Sequence, residues 1–167
     1  VGEVMAIGRC FEEALQKAVR MLDTGKIGLV CNPEDAEHES EDRIRDEMAN
    51  PTDERLCKIP KALKMGISIM EIYRLSGIDP FFLYKIQNIV NMEEQLKTLN
   101  LVQDGAAEVI REAKRLGFSD EQIAKCQGTD ENTIRVYRKS ANIVPVVKQI
   151  DTLAAEWPAK TNYLYMT

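Results

Sequence analysis

Two stretches of the chain, 51 residues apart, carry the same helix punctuation, and this repeat limits the fold more than any other feature of the sequence. IPKALKMGISIMEIYRLSGIDPFFLYK begins at Ile59, and IREAKRLGFSDEQIAKCQGTDENTIRV begins at Ile110. Seven of 27 aligned positions are identical: Ile59/Ile110, Ala62/Ala113, Gly66/Gly117, Ser68/Ser119, Ile72/Ile123, Gly77/Gly128 and Asp79/Asp130. Met65/Leu116, Ile67/Phe118 and Leu83/Ile134 keep apolar character. Gly66 and Gly117 fall where a helix should end on a left-handed residue. Ser68 and Ser119 then cap the next helix, with Glu71 and Gln122 three residues on to complete a capping box. Gly77 and Gly128 end those short helices, Asp79 and Asp130 cap the third, and Pro80 sits at N1, where its missing N–H costs nothing. Each unit is predicted as helix, turn, short helix, turn, helix, with the matched apolar positions turned to the same face. The fold class is therefore all-α, with two pseudo-repeated helical units and short extended ends.

Outside the repeat the signals are weaker. A first helix is expected from Phe11 to about Leu22, with Leu15, Ala18, Val19 and Leu22 forming one apolar stripe, and Gly25 and Gly28 closing it. The segment to about Asn50 is expected to be a solvated acidic loop with at most a short helix near Glu41–Met48, because its apolar content is low. The third helix of the first unit should run from Pro80 to about Leu99, roughly 30 Å at 1.5 Å per residue, with Phe82, Leu83, Ile86, Ile89, Val90 and Leu96 facing the core of both units. After Lys139 the β-branched run around Pro145 is expected to be extended. The tail beyond it should lie on another surface, anchored by Trp157. Both ends of the chain are expected to be cuts through a longer protein.

Charge and reactive groups exclude several functions. The net charge is −5, and the stretch from Glu34 to Glu47 alone carries −6, so the acidity is a local patch. No broad basic surface is present for non-specific nucleic-acid binding. No run approaches the ~20 apolar residues of a membrane span. The four cysteines, Cys10, Cys31, Cys57 and Cys126, show no metal-ligand spacing, which suits reduced thiols and a cytoplasmic protein. His38 lies alone in the acidic segment and is expected to be solvated. No phosphate-binding glycine loop is present. Glu12–Glu13 and Glu93–Glu94 are adjacent on helices, so each pair points in two directions and is expected on a solvated face. No catalytic, cofactor-binding or metal-ligating residue is assigned. One alternative is a helix-turn-helix from Gly117, with Thr133, Arg135, Arg138 and Lys139 exposed for DNA. Only seven bases stand against five acids between Ile110 and Ser140, and Pro80, Phe81, Phe82 and Tyr84 occupy the corresponding helix of the first unit.

Three blocks resemble the large subunit of carbamoyl-phosphate synthase, in the family's order. GEVMAIGR from Gly2, followed by FEEALQKAVR, is similar to its exit from the first ATP-grasp module. GIDPFFLYKI from Gly77 and LGFSDEQIAK from Leu116 are similar to its central connecting, oligomerisation-type helical domain. VKQIDTLAAEWPAKTNYLYMT from Val147 is similar to its approach to the second synthetase half. The sequence departs from the family at Leu153, where many members carry Cys, at Trp157, where many carry Phe, and at Pro80 and Phe81. The resemblance implies residues 1–9 leaving the first half, 10–142 forming the helical domain, and 143–167 running into the second half. It implies a ligase parent, in arginine or pyrimidine biosynthesis, that makes carbamoyl phosphate from bicarbonate, glutamine-derived ammonia and two ATP. Its ATP, Mg and K ions are held outside this segment. Implied partners are the flanking ATP-grasp halves, a glutaminase subunit or domain, and further copies of the chain, with no nucleic acid and no membrane. Glu3 and Arg9 are expected either to brace the active-site wall of the first half or the interface between the halves, or to form a plain strand-end ion pair. Tyr73, Phe81 and Tyr84 are expected either to be association residues or to line the core.

Overall fold

The punctuation of the repeat is realised almost bond for bond in the computed structural model, which describes residues 3–36 and 38–167. Gly66 and Gly117 take φ +86 and +87. In the first unit the N–H groups of Gly66 and Ile67 donate to Leu63 and Ala62 (3.0 and 3.1 Å). In the second, Gly117 and Phe118 donate to Lys114 and Ala113 (3.0 Å each). This paired pattern satisfies two orphan carbonyls and packs the residue after glycine onto the last turn. Ser68 and Ser119 accept from the N–H of Glu71 and Gln122. The reciprocal half of the box forms only in the second unit, where Gln122 accepts from the Ser119 N–H. Glu71 instead pairs with Arg45.

Among the described residues eight helices form: α1 Phe11–Met21, α2 Glu41–Ala49, α3 Arg55–Lys64, α4 Ile69–Ser76, α5 Pro80–Thr98, α6 Ala106–Arg115, α7 Asp120–Gln127 and α8 Glu131–Ser140. A 3-10 turn spans Pro33–Ala36, and β1 Val147–Gln149 pairs antiparallel with β2 Leu164–Met166. Units α3–α4–α5 and α6–α7–α8 follow the repeat. The matched residues Ile59/Ile110, Ala62/Ala113, Ile67/Phe118, Ile72/Ile123 and Leu83/Ile134 are all buried, whereas Met65 is exposed and Leu116 half-buried. Helix α5, about 28 Å long, packs on α1, α3, α4, α6 and α7 and serves both units. Its buried face is Leu83, Ile86, Ile89, Val90, Met92 and Leu96, while Phe82 is exposed.

Other expectations fail as well. The acidic segment docks: α2 buries Ile44 and Met48 completely against α3 and α4. Two such side chains contribute about 1.5–3 kcal/mol each, which fixes one short helix despite the charges around them. The tail folds back on itself as the β1–β2 hairpin, with Val146 and Thr167 exchanging both backbone hydrogen bonds (2.9 and 3.0 Å). Trp157 is not buried among the described residues; it lies in the connection between the strands and is 71% exposed. In α1 the predicted apolar stripe is displaced. Val19 is buried but Leu22 is exposed, and Glu12, Glu13 and Gln16 take the inward positions. Val1 and Gly2 of the opening block and Glu37 of the acidic patch lie outside the described residues.

Candidate functional site: a polar seam that joins the two ends

Helix α1 has a narrow apolar stripe because its inner face meets backbone. Gly8 and Gly117 approach it so closely that a Cβ at either would lie 2.8 Å from α1 backbone atoms, Ala14 N and Glu13 Cα respectively. Backbone groups at such an approach need hydrogen-bonding partners, and the buried polar residues of α1 supply them. The Glu13 carboxylate accepts from the Arg9 N–H (2.7 Å), the Lys17 ammonium (2.7 Å) and the Thr167 hydroxyl (3.0 Å). Lys17 also donates to the carbonyls of Ile7 (2.9 Å) and Met166 (2.7 Å). One i,i+4 pair thus holds the opening segment, Ile7–Arg9, the end of β2 at Met166, and Thr167 after it. Burial pushes the Glu13 carboxyl pKa up, but the Lys17, Arg9 and Thr167 donors outweigh it and the net shift is downward.

The seam continues along the helix. Gln16 accepts from the Leu29 N–H (2.9 Å) and from Gln122 Nε2 (3.0 Å), and Gln122 also donates to the Val30 carbonyl. Arg20 donates to the Gly117 carbonyl (2.9 Å) and to Gln122 (3.1 Å). Asp120 opens α7 and holds Lys114 of α6 (2.9 Å) and Arg138 of α8 (2.8 Å), and Arg138 donates on to the Ile143 carbonyl where the tail begins. Glu12 accepts from Asn88 of α5 (2.8 Å), with Lys85 at 3.5 Å, while its Oε2 has no partner. Between the opening segment, α1, α5, α6 and Val144–Val146 lies an open cleft of about 830 Å³ with a mostly basic rim.

These residues can position but are poorly placed for acid–base work. Glu13 and Asp120 are saturated by cations and donors, which keeps them ionised. The Asp120 carboxyl, raised by burial, is lowered overall by the Lys114 and Arg138 bonds. Among the described residues no group of three or more His, Cys, Asp or Glu is arranged to hold a metal ion. Glu12, Glu13 and Glu93 are buried, contrary to the solvated face expected for them; only Glu94 is exposed. Each buried carboxylate is compensated by a lysine brought from elsewhere in sequence or one turn away, with Lys64 at 2.6 Å and Lys97 at 3.1 Å from Glu93. Glu3 and Arg9 are both exposed, and Arg9 acts on the seam through its backbone. His38 is exposed. Thr133, Arg135 and Lys139 are exposed on α8, but Arg138 is committed to Asp120.

The acidic patch has its own anchor. Glu39, with 6% of its side chain exposed, bridges Lys58 (2.7 Å) and Lys61 (2.7 Å) of α3. Burial raises its pKa, the two lysines lower it more, and it settles at about 2. The unfolded value is roughly 4.3. The stabilisation is therefore complete above pH ~4.3 and is lost as pH falls toward 2. Screening by nearby solvent reduces the contribution to about 1–2 kcal/mol. Glu39→Gln should flatten the acid limb of a stability–pH curve in that window and leave its slope above pH ~5 unchanged. An unchanged acid limb would show that other carboxylates govern it.

The family described as carbamoyl-phosphate synthetase large chain, oligomerisation domain, matches residues 3–142. The chain belongs to that family. Among its relatives is the carbamoyl-phosphate synthase [ammonia], mitochondrial, of Aquarana catesbeiana, 50% identical over 168 residues, covering all of this chain and 11% of that protein. The carbamoyl phosphate synthase large chain of Hyperthermus butylicus is 45% identical over 168 residues, covering all of this chain and 16% of that one. A carbamoyl phosphate synthase large chain, N-terminal section, from Methanopyrus kandleri is 47% identical over 178 residues, again covering the whole chain and 31% of that protein. The chain thus spans between about a tenth and a third of these relatives. In the Methanopyrus protein the matched region takes in the hairpin as well as the oligomerisation domain proper. Among the described residues no helix is long and apolar enough to cross a membrane.

Proposed function

We propose that this domain joins the two ATP-grasp halves of a carbamoyl-phosphate synthase large chain, holds them in register, and offers a surface for subunit association. The observation that carries the reading is the Lys17–Glu13 clamp, which ties the segments at both chain ends to one helix. Residues 1–9 leave the first half, 10–142 form the rigid body, and 143–167 lead toward the second. The parent phosphorylates bicarbonate, combines the product with ammonia released by a glutaminase, and phosphorylates the resulting carbamate. Its ATP, Mg and K ligands belong to the flanking halves. A labile intermediate that must travel between two sites makes fixed geometry valuable, so the contribution of this domain is positional. Four cysteines without metal-ligand spacing suit a reducing compartment, and we place the parent in the cytoplasm.

Association is assigned to the aromatic surface at the α4–α5 turn. Tyr73, Phe81 and Tyr84 are 41%, 56% and 54% exposed, and Phe82 continues the patch in edge contact with Phe81. Large rigid aromatics of this kind are the side chains that anchor interfaces. Sedimentation velocity across a concentration series should show reversible association. Phe81→Ser with Tyr84→Ser should weaken it by about tenfold or more while helical circular dichroism stays constant. A wild-type chain that is monomeric throughout, or a variant that associates as before, would remove this surface from the proposal.

A further inference from the structure

The thiols of Cys31 and Cys126 make none of the hydrogen bonds described for the seam. Cys31 follows the buried Leu29–Val30 loop and Cys126 lies in the last turn of α7, yet their sulfur atoms are 3.0 Å apart. That is within about 1 Å of a disulfide bond length. The approach is built in. Cys31 holds φ +69, a left-handed conformation unfavourable for a residue with a Cβ. Its neighbours fix it there: the Leu29 N–H donates to Gln16, the Val30 carbonyl accepts from Gln122, and Asn32 bonds back to the Gly28 carbonyl. Both cysteines are partly exposed and pack against the edge of the core.

We propose that Cys31 and Cys126 form an oxidisable dithiol that closes to an intramolecular disulfide when the pool of low-molecular-weight disulfide, such as glutathione disulfide, rises. One thiolate of the pair attacks a sulfur of the oxidant, forming a mixed disulfide and releasing one thiolate. The second cysteine sulfur, after losing its proton, attacks the protein sulfur of that mixed disulfide and releases a second thiolate. Two protein thiols are oxidised, one small disulfide is reduced to two thiols, and the two protons end on the leaving groups. The bond ties the loop after α1 to α7 across 94 intervening residues, a long closure that restricts the unfolded chain strongly.

The test is incubation of the folded protein with glutathione disulfide, followed by alkylation and intact-mass and peptide analysis. The expected product has lost two hydrogens, yields one linked peptide pair containing Cys31 and Cys126, and keeps Cys10 and Cys57 alkylated. Its melting temperature should rise by about 5–15 °C and return on addition of dithiothreitol. Cys126→Ser should abolish the closure and leave a glutathione adduct on Cys31. Because wild-type peptides carry the main result, a poorly folded variant does not blunt the test. Separate glutathione adducts on both cysteines of the wild-type protein, linkage through Cys10 or Cys57, or four thiols still free would each overturn the proposal.

Discussion

Gly117→Ala should lower the unfolding free energy by about 3 kcal/mol or more, whereas Gly66→Ala, its counterpart in the repeat, should lower it by only about 1 kcal/mol. The two glycines have the same backbone angle, so the left-handed strain on a Cβ is the same at both. Their surroundings differ. A Cβ at Gly66 meets nothing within 4 Å, but one at Gly117 meets Glu13 Cα at 2.8 Å and the Glu13 carbonyl and Gln16 Cβ at 3.1 Å. Those are backbone and near-backbone atoms of α1, so the helix itself must move. Moving it breaks the Arg20 bond to the Gly117 carbonyl and shifts the polar residues on either side. Urea titrations of the two variants, with the slope checked for constancy, give the comparison directly. Equal losses would mean that α1 is not seated on the second unit as described.

What could be read from the sequence follows from the range of the interactions. Caps and C-terminal turns are settled by partners two to five residues away, so Gly66/Gly117, Ser68/Ser119 and Asp79/Asp130 announce themselves in the repeat. The burial of Ile72 and Ile123 follows from the same register. Polar burial is different, because it depends on groups distant in sequence. Glu12 is compensated by Asn88, Gln16 by Gln122, and Glu39 by Lys58 and Lys61. None of these pairs has a local signature, and the i,i+4 spacing of Glu13 and Lys17 looks like any surface helix pair. The one available hint was the shortage of apolar residues on α1 beside glycines able to approach it. Trp157 misleads for the complementary reason: its size suggests an anchor, but it stands 71% exposed in the connection between the strands.

Lys17→Met should release both ends of the chain while leaving the helical core intact. The substitution removes three hydrogen bonds and leaves a Glu13 carboxylate that is 3% exposed without its countercharge, a loss of about 3 kcal/mol concentrated at the seam. The Arg9 amide and the Val146 and Thr167 amides should then exchange with solvent at least about tenfold faster. The buried amides of α5 should keep their protection. A uniform acceleration that included α5 would show that Lys17 supports the whole fold and not the ends. On the proposed reading, freed ends in the full-length large chain mean two halves no longer held in fixed relation. A displacement of about 1 Å is enough to cost two orders of magnitude in a positioned reaction.

The most direct measurement is therefore the ATP consumed per carbamoyl phosphate formed by the full-length large chain carrying Lys17→Met. Bicarbonate-dependent ATP hydrolysis should stay close to wild type while the ratio of ATP to product rises about tenfold, because carbamate escapes between halves that each still work. An unchanged ratio in a variant whose ends exchange freely would contradict the proposed role of this domain as the joint that fixes the two halves.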